Sequence, residues 1–242
     1  MRGGGYYTTT MKTELAHNLS ELHNRISVVC AQAGRKADEI TVIAVTKGHS
    51  ANLIQSAVSA GLRDIGENRV QEADAKIREL GPLARWHMIG HLQTNKVKKA
   101  VELFDVIQTV DSPRLAQEIN KRAGEGEIER VIECYIEVNS SGEAQKSGVD
   151  PTEAVDLISA ILSLSNIKLT GLMTVGPLTE NEDSIRKAFI LCRGLFGKGQ
   201  EIVGRQFCNL SMGMSDDFEL AIAEGSTMIR IGSAIFGMRD QR

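Results

Sequence analysis

Apolar residues at Leu15, Leu19, Leu22, Ile26 and Val29 recur at steps of three and four, the spacing of one helical face, and predict a leading helix over 15–33. The pattern then changes. Short runs rich in Val, Ile and Met occupy 40–47, 64–68, 85–90, 106–111, 130–139, 168–175, 209–213 and 228–232. Between them, 52–60, 69–80, 94–103, 113–122, 151–164, 182–195 and 218–224 carry helical spacing. Such alternation is produced by parallel strands covered by helices. Eight strand-helix units predict an α/β fold, a single (β/α)8 TIM barrel with an extra N-terminal helix. An open doubly wound sheet is the alternative.

Composition adds limits. The 242 residues, 42% hydrophobic and 24% charged, suit a globular chain with a sizeable core, and barrels of this kind use about 250 residues as one domain. Residues 1–10 (MRGGGYYTTT) offer nothing to bury and are expected to form a disordered arm, with 11–242 as the barrel. Net charge is -3 with Lys and Arg scattered among acids, so no basic stripe for nucleic acid exists, and no apolar run is long enough to span a membrane. The four cysteines, Cys30, Cys134, Cys192 and Cys208, form no CxxC pair; this argues against disulfides and structural zinc and favours a reducing, cytoplasmic compartment.

In a barrel the carboxyl ends of all strands converge on one face, where sites are built. Lys47 closes the apolar run 40–47, and an amine at a dry strand end is a candidate nucleophile, although it could simply reach out to solvent. Arg230 lies within the strand Met228-Ile229-Arg230-Ile231, and a buried guanidinium needs a partner. Gly232 and Ser233 follow at once, as a small turn whose backbone N–H groups can cradle phosphate; Ser211, Gly213 and Ser215 could form the opposite wall. An amine, a phosphate cup and a guanidinium for a ring nitrogen together match the needs of pyridoxal 5′-phosphate (PLP). Elsewhere, Ser215 before Asp216, Asp217 and Glu219 reads as a helix N-cap, and His87 as a hydrogen-bonded interior histidine.

These residues stand in motifs that resemble a known family. Ala44-Val45-Thr46-Lys47, Gly66-Glu67-Asn68-Arg69-Val70-Gln71-Glu72, His87-Met88-Ile89-Gly90-His91-Leu92-Gln93, Leu210-Ser211-Met212-Gly213-Met214-Ser215-Asp216-Asp217 and Arg230-Ile231-Gly232-Ser233, in this order, closely resemble the pyridoxal phosphate homeostasis proteins, whose barrel is similar to the PLP-binding domain of alanine racemase. The resemblance implies that Lys47 holds PLP as a Schiff base and that Arg230 faces the pyridine nitrogen. It also implies that Ser211, Gly232 and Ser233 hold the phosphate, while Asn68, Met212 and Met214 line the pocket. Gly48-His49-Ser50 departs from the family's usual bulkier polar residue and proline.

The expected function is cofactor buffering or delivery in PLP homeostasis, by a monomer or weak dimer, with PLP and apo PLP-dependent enzymes as partners and no strong catalysis. The alternative is an amino-acid racemase. Racemisation needs a second proton donor opposite the lysine, and the only tyrosines are Tyr6, Tyr7 and Tyr135. A Schiff-base aldolase acting on a sugar phosphate ranks third, with Glu67 as its only obvious acid-base group.

Overall fold

A computed structural model describes residues 4–125, 129–143 and 145–237, with side chains from residue 13 onward. Eight parallel strands close into a barrel in sequence order: β1 (Thr41–Val45), β2 (Asp64–Glu67), β3 (Arg85–Met88), β4 (Val106–Val110), β5 (Ile132–Glu137), β6 (Ile167–Met173), β7 (Asn209–Ser211) and β8 (Met228–Ile231). Each falls within or beside a run predicted from the sequence. The closed ring leaves no edge unpaired, and β8 returns to β1 with Ile43 opposite Arg230. The open-sheet alternative is thereby excluded.

The outer ring comprises α2 (Ala51–Ser59), α3 (Val70–Leu80), α4 (Val97–Leu103), α5 (Pro113–Gly124), α6 (Ala154–Ile161), α7 (Glu182–Val203) and α8 (Phe218–Ala223), preceded by α1 (Gly4–Gln32) and followed by the short α9 (Ser233–Phe236). Local chemistry sets several of these boundaries. Ser112 accepts the Leu115 amide at 3.3 Å with Pro113 at the first helical position, and Asn181 accepts the Ser184 amide at 3.0 Å ahead of Glu182 and Asp183. The predicted face of α1, from Leu15 through Val29, is buried. It packs on α8 and α9, where Arg25 forms a bidentate pair with Glu219 over the Phe218 ring and Asn18 donates to the Ile235 carbonyl. The expected arm over 1–10 falls on residues outside the described side chains, and 1–3 lie outside the described backbone.

Alternation sorts the strand residues into two cores. Ile43, Val106, Tyr135, Met173 and Met228, from five different strands, form their own cluster, which fills the barrel interior. Their neighbours, such as Ala44, Ile107, Ile136, Leu172 and Ile229, belong to the larger cluster between barrel and helices. Polar residues share the interior: His87, Ser211 and Arg230 each sit between outward-facing apolar neighbours, and Gln108 lies between Ile107 and Thr109. All four cysteines are unpaired, and among the described residues no helix is long and apolar enough to cross a membrane.

The ladder between β5 and β6 slips between Cys134 and Tyr135, so that Tyr135 pairs with Gly171. A Cβ on Gly171 would strike the Asn209 carbonyl oxygen, a contact that backbone cannot yield cheaply. Gly171→Ala is expected to destabilise the barrel by about 1–3 kcal/mol, a drop of several degrees in Tm by calorimetry. An unchanged Tm would show that β6 and β7 can separate freely.

Candidate functional site

A cleft of about 680 Å³ opens at the carboxyl ends of β1, β2, β3, β6, β7 and β8. Lys47, Asn68, Met214, Arg230, Gly232 and Ser233 line it, so six of the eight expected residues meet there. Two do not. Met212 is fully buried in the core between barrel and helices, because alternation turns it outward from inward-facing Ser211. Ser211 points inward but is completely buried behind Arg230, which takes both of its oxygens. Neither lines the cleft, and Ser211 instead supports Arg230 from behind.

Arg230 is 4% exposed, so its guanidinium must find acceptors inside the protein. One terminal nitrogen donates to the Ser211 carbonyl at 2.9 Å and to Ser211 Oγ at 2.7 Å, and the other to the Thr174 carbonyl at 2.7 Å. Among the described residues these bonds use the terminal nitrogens and none uses Nε. The chain continues inward: Ser211 Oγ donates to Gln108 Oε1 at 2.8 Å, Gln108 Nε2 meets His87 Nδ1 at 3.0 Å, and His87 Nε2 meets Asp64 Oδ1 at 2.8 Å. Since guanidinium can only donate and carboxylate only accept, the direction is forced, and His87 carries its proton on Nε2. This is the interior histidine that the sequence predicts.

Burial lowers the Arg230 guanidinium to about 10 while Asp217 and Glu137 pull it back up, so it stays protonated near neutral pH. Asp217 is buried too, and desolvation raises its carboxyl against the Met214 amide, which donates to it, and against Arg230. That bond fixes the turn from β7 to α8. Here the expected N-cap is corrected: Asp217, not Ser215, precedes α8, and Ser215 Oγ instead accepts the Ala234 amide at 3.3 Å. Ser215 thereby lines the cleft with Gly232 and Ser233, as the sequence reading of an opposite wall allowed. The expected Gly-Ser turn is the start of α9, with Gly232 as its N-cap.

Lys47 stands two residues past the end of β1, half-buried, with Gly48 behind it at φ +76, a conformation that suits glycine. Outside the barrel wall, Glu67 is buried, accepts from Thr46 Oγ1 and pairs with Lys76 at 2.6 Å; burial pushes its carboxyl up against both partners. Glu67 therefore faces α3 and is not the acid-base neighbour that an aldolase would require.

Similarity to known proteins can now be set beside this geometry. The family model for the alanine racemase N-terminal domain matches residues 14–240, and alanine racemase of Corynebacterium glutamicum shares the fold at a TM-score of 0.71 and 18% identity, over 94% of this chain and 62% of that one. The class is therefore the racemase-type barrel. Within it, the chain belongs to the pyridoxal phosphate homeostasis proteins: the protein of that name from Escherichia coli K12 is 41% identical over 237 residues, covering 94% of this chain and 97% of its own. The structure of PipY from Synechococcus elongatus, with PLP bound, matches at a TM-score of 0.78 and 36% identity over 92% of this chain and 100% of that one.

Two expectations follow from the buried groups. Ser211→Ala would remove the link between Arg230 and Gln108, and a loss of about 1–3 kcal/mol is expected from the unsatisfied partners, measured by chemical denaturation. At the end of β5, Glu137 is 7% exposed and its Oε2 has no partner among the described residues. Burial first, then the charge of Asp111, push this carboxyl up to about 7 against the pull of Arg230. Its folded value thus exceeds its ordinary 4.5, so the stability it contributes is full below 4.5 and lost as pH rises through 7. Glu137→Gln is expected to be more stable than wild type at pH 8 by up to about 3 kcal/mol, with the gap closing toward pH 5. A gap independent of pH in thermal melts would contradict this.

Proposed function

We propose that this chain binds PLP as a Schiff base on Lys47 and serves PLP homeostasis by buffering or delivering the cofactor. The supporting observation is that Lys47, Arg230 and the Ser215–Gly232–Ser233 cup open onto one cleft of about 680 Å³, within the range of small-ligand sites. Family membership and the PLP-bound PipY structure support the same reading.

The residues present fit the group in kind. Lys47 offers the amine for the aldehyde, and the Gly232 and Ser233 amides with Ser215 Oγ offer donors to the phosphate. Arg230, anchored through its terminal nitrogens, offers Nε–H to the pyridine nitrogen. Asn68, Met214, Ile89 and Val175 would enclose the ring. When bound, PLP supplies an aldehyde and an electron-withdrawing ring. Arg230 donates a hydrogen bond and keeps its own proton, so the ring nitrogen stays unprotonated and carbanion chemistry is restrained.

Weak catalysis is the expectation because no tyrosine hydroxyl lines the described cleft. Tyr135 fills the barrel interior, its hydroxyl donates to Glu133 at 3.3 Å, and burial, reinforced by Glu133, pushes that hydroxyl far above its ordinary value. The side chains of Tyr6 and Tyr7 lie outside the described residues. The unpaired thiols accord with a cytoplasmic setting.

Purified wild type is expected to be yellow, and Lys47→Ala colourless in the visible spectrum, with some PLP retained through the cup. Wild type should also load an apo PLP-dependent enzyme while showing no useful turnover of alanine. Failure to bind PLP would end the proposal; solvent deuterium entering Cα of alanine at a substantial rate would favour the racemase instead.

A further inference from the structure

Behind Lys47, on the outer side of the barrel wall, lies an ion cluster that no role above uses. Lys76 of α3 is 7% exposed, and its ammonium donates to the Thr46 carbonyl at 2.7 Å, to Glu67 Oε1 at 2.6 Å and to Glu72 Oε1 at 2.7 Å. Its three donors are thereby all engaged. Glu72 Oε1 also accepts the amide of Gly48, and the Lys76 ammonium with that amide holds the Glu72 carboxyl below its ordinary value although partial burial alone would raise it. Thr46 adds another tie through its hydroxyl, which donates to Glu67.

The residues on both sides of Lys47 are thus bound to one cation: Thr46 through its carbonyl, Gly48 through the carboxylate of Glu72. We infer that Lys76 is a positioning residue for Lys47, a clamp on its backbone that aims the amine into the cleft; this rests on the reading that Lys47 bonds PLP. Stability alone is a poor account of the cluster. Taking the charges of Lys76 and Glu67 out of water is costly, and Glu67 Oε2 is buried with no partner among the described residues. A packed apolar side chain on α3 would stabilise the same contact at least as well. It could not hold a carbonyl and, through a carboxylate, an amide, at the point where the chain turns away from β1.

The clamp acts on orientation, so its loss should slow bond formation at Lys47 and spare the rest of the site. Displacements of about 1 Å near reacting atoms cost up to about 100-fold. Glu72→Ala is the main variant, since the Glu72 side chain is 28% exposed and its removal should leave the fold intact. Lys76→Met is the second, and Glu72→Gln retains an acceptor for Gly48. Full-length apo protein of each would be mixed with PLP and imine formation followed by visible absorbance. In parallel, binding of pyridoxamine 5′-phosphate, which lacks the aldehyde, reports the cup and Arg230 alone, and hydrogen exchange at Gly48 reports the clamp without ligand.

Glu72→Ala should form the imine about tenfold more slowly and exchange the Gly48 amide faster, with pyridoxamine phosphate affinity within about twofold of wild type and Glu72→Gln close to wild type. Equal imine rates in wild type, Glu72→Ala and Lys76→Met would overturn the inference alone. So would parallel loss of pyridoxamine phosphate binding in a folded variant, which marks a general structural role. No imine on Lys47 in wild type would overturn the proposed function and this inference with it.

Discussion

A guanidinium shut inside a barrel is the constraint around which this molecule is arranged. Arg230 cannot be left without acceptors, and the protein satisfies it with carbonyls from the ends of β6 and β7 and with a side-chain series that crosses to β4, β3 and β2. Six of the eight strands are thereby tied to one cation. Because the series begins at a pure donor and ends at a pure acceptor, every hydroxyl, amide and imidazole in it has a fixed orientation. What this series presents to the cleft is a guanidinium whose two terminal nitrogens are already bonded.

The same constraint explains why the barrel interior is not purely apolar. Ile43, Val106, Tyr135, Met173 and Met228 fill part of it, but the volume beneath the cleft belongs to polar side chains that support Arg230. A lysine there would be a poorer choice, since it presents a flexible point charge where a planar fork can hold two carbonyls and a hydroxyl at once.

The sequence made the strands legible because burial on both faces writes them as apolar runs, and the Arg within the last run stood out for the same reason. Boundaries were harder. The helix predicted to end at 195 continues to Val203 through Gly197 and Gly199, whose missing side chains break the helical pattern; Gly199 is small because a Cβ would strike the Phe207 ring. The four residues of α9 are too few to show a period, so Gly232-Ser233 read as a turn. In the site, alternation correctly turned Ser211 inward, but alternation carries no depth, and depth decides whether a serine meets a ligand or an arginine. Of the two readings of Ser215, wall and cap, the cap failed because the acids after it look like a first helical turn, when Asp217 spends its carboxylate on the Met214 amide. Lys76 gave no signal at all, since nothing in one sequence separates it from the surface lysines of other helices.

Lys47 and Arg230 come from adjacent strands, yet they are held by unconnected means. The register sets Ile43 against Arg230 and brings Val45 beside Gly232, so Lys47 follows two residues beyond the level of Gly232, where the chain turns away from β1. Arg230 is fixed from inside the barrel by neutral and charged hydrogen bonds, Lys47 from outside by an ion cluster on α3. The backbone around Lys47 and the guanidinium of Arg230 therefore rest on two separate sets of bonds. The proposed ligand, rigid and flat, would have to meet both at once, and supports fixed in advance lower the ordering cost of such a fit.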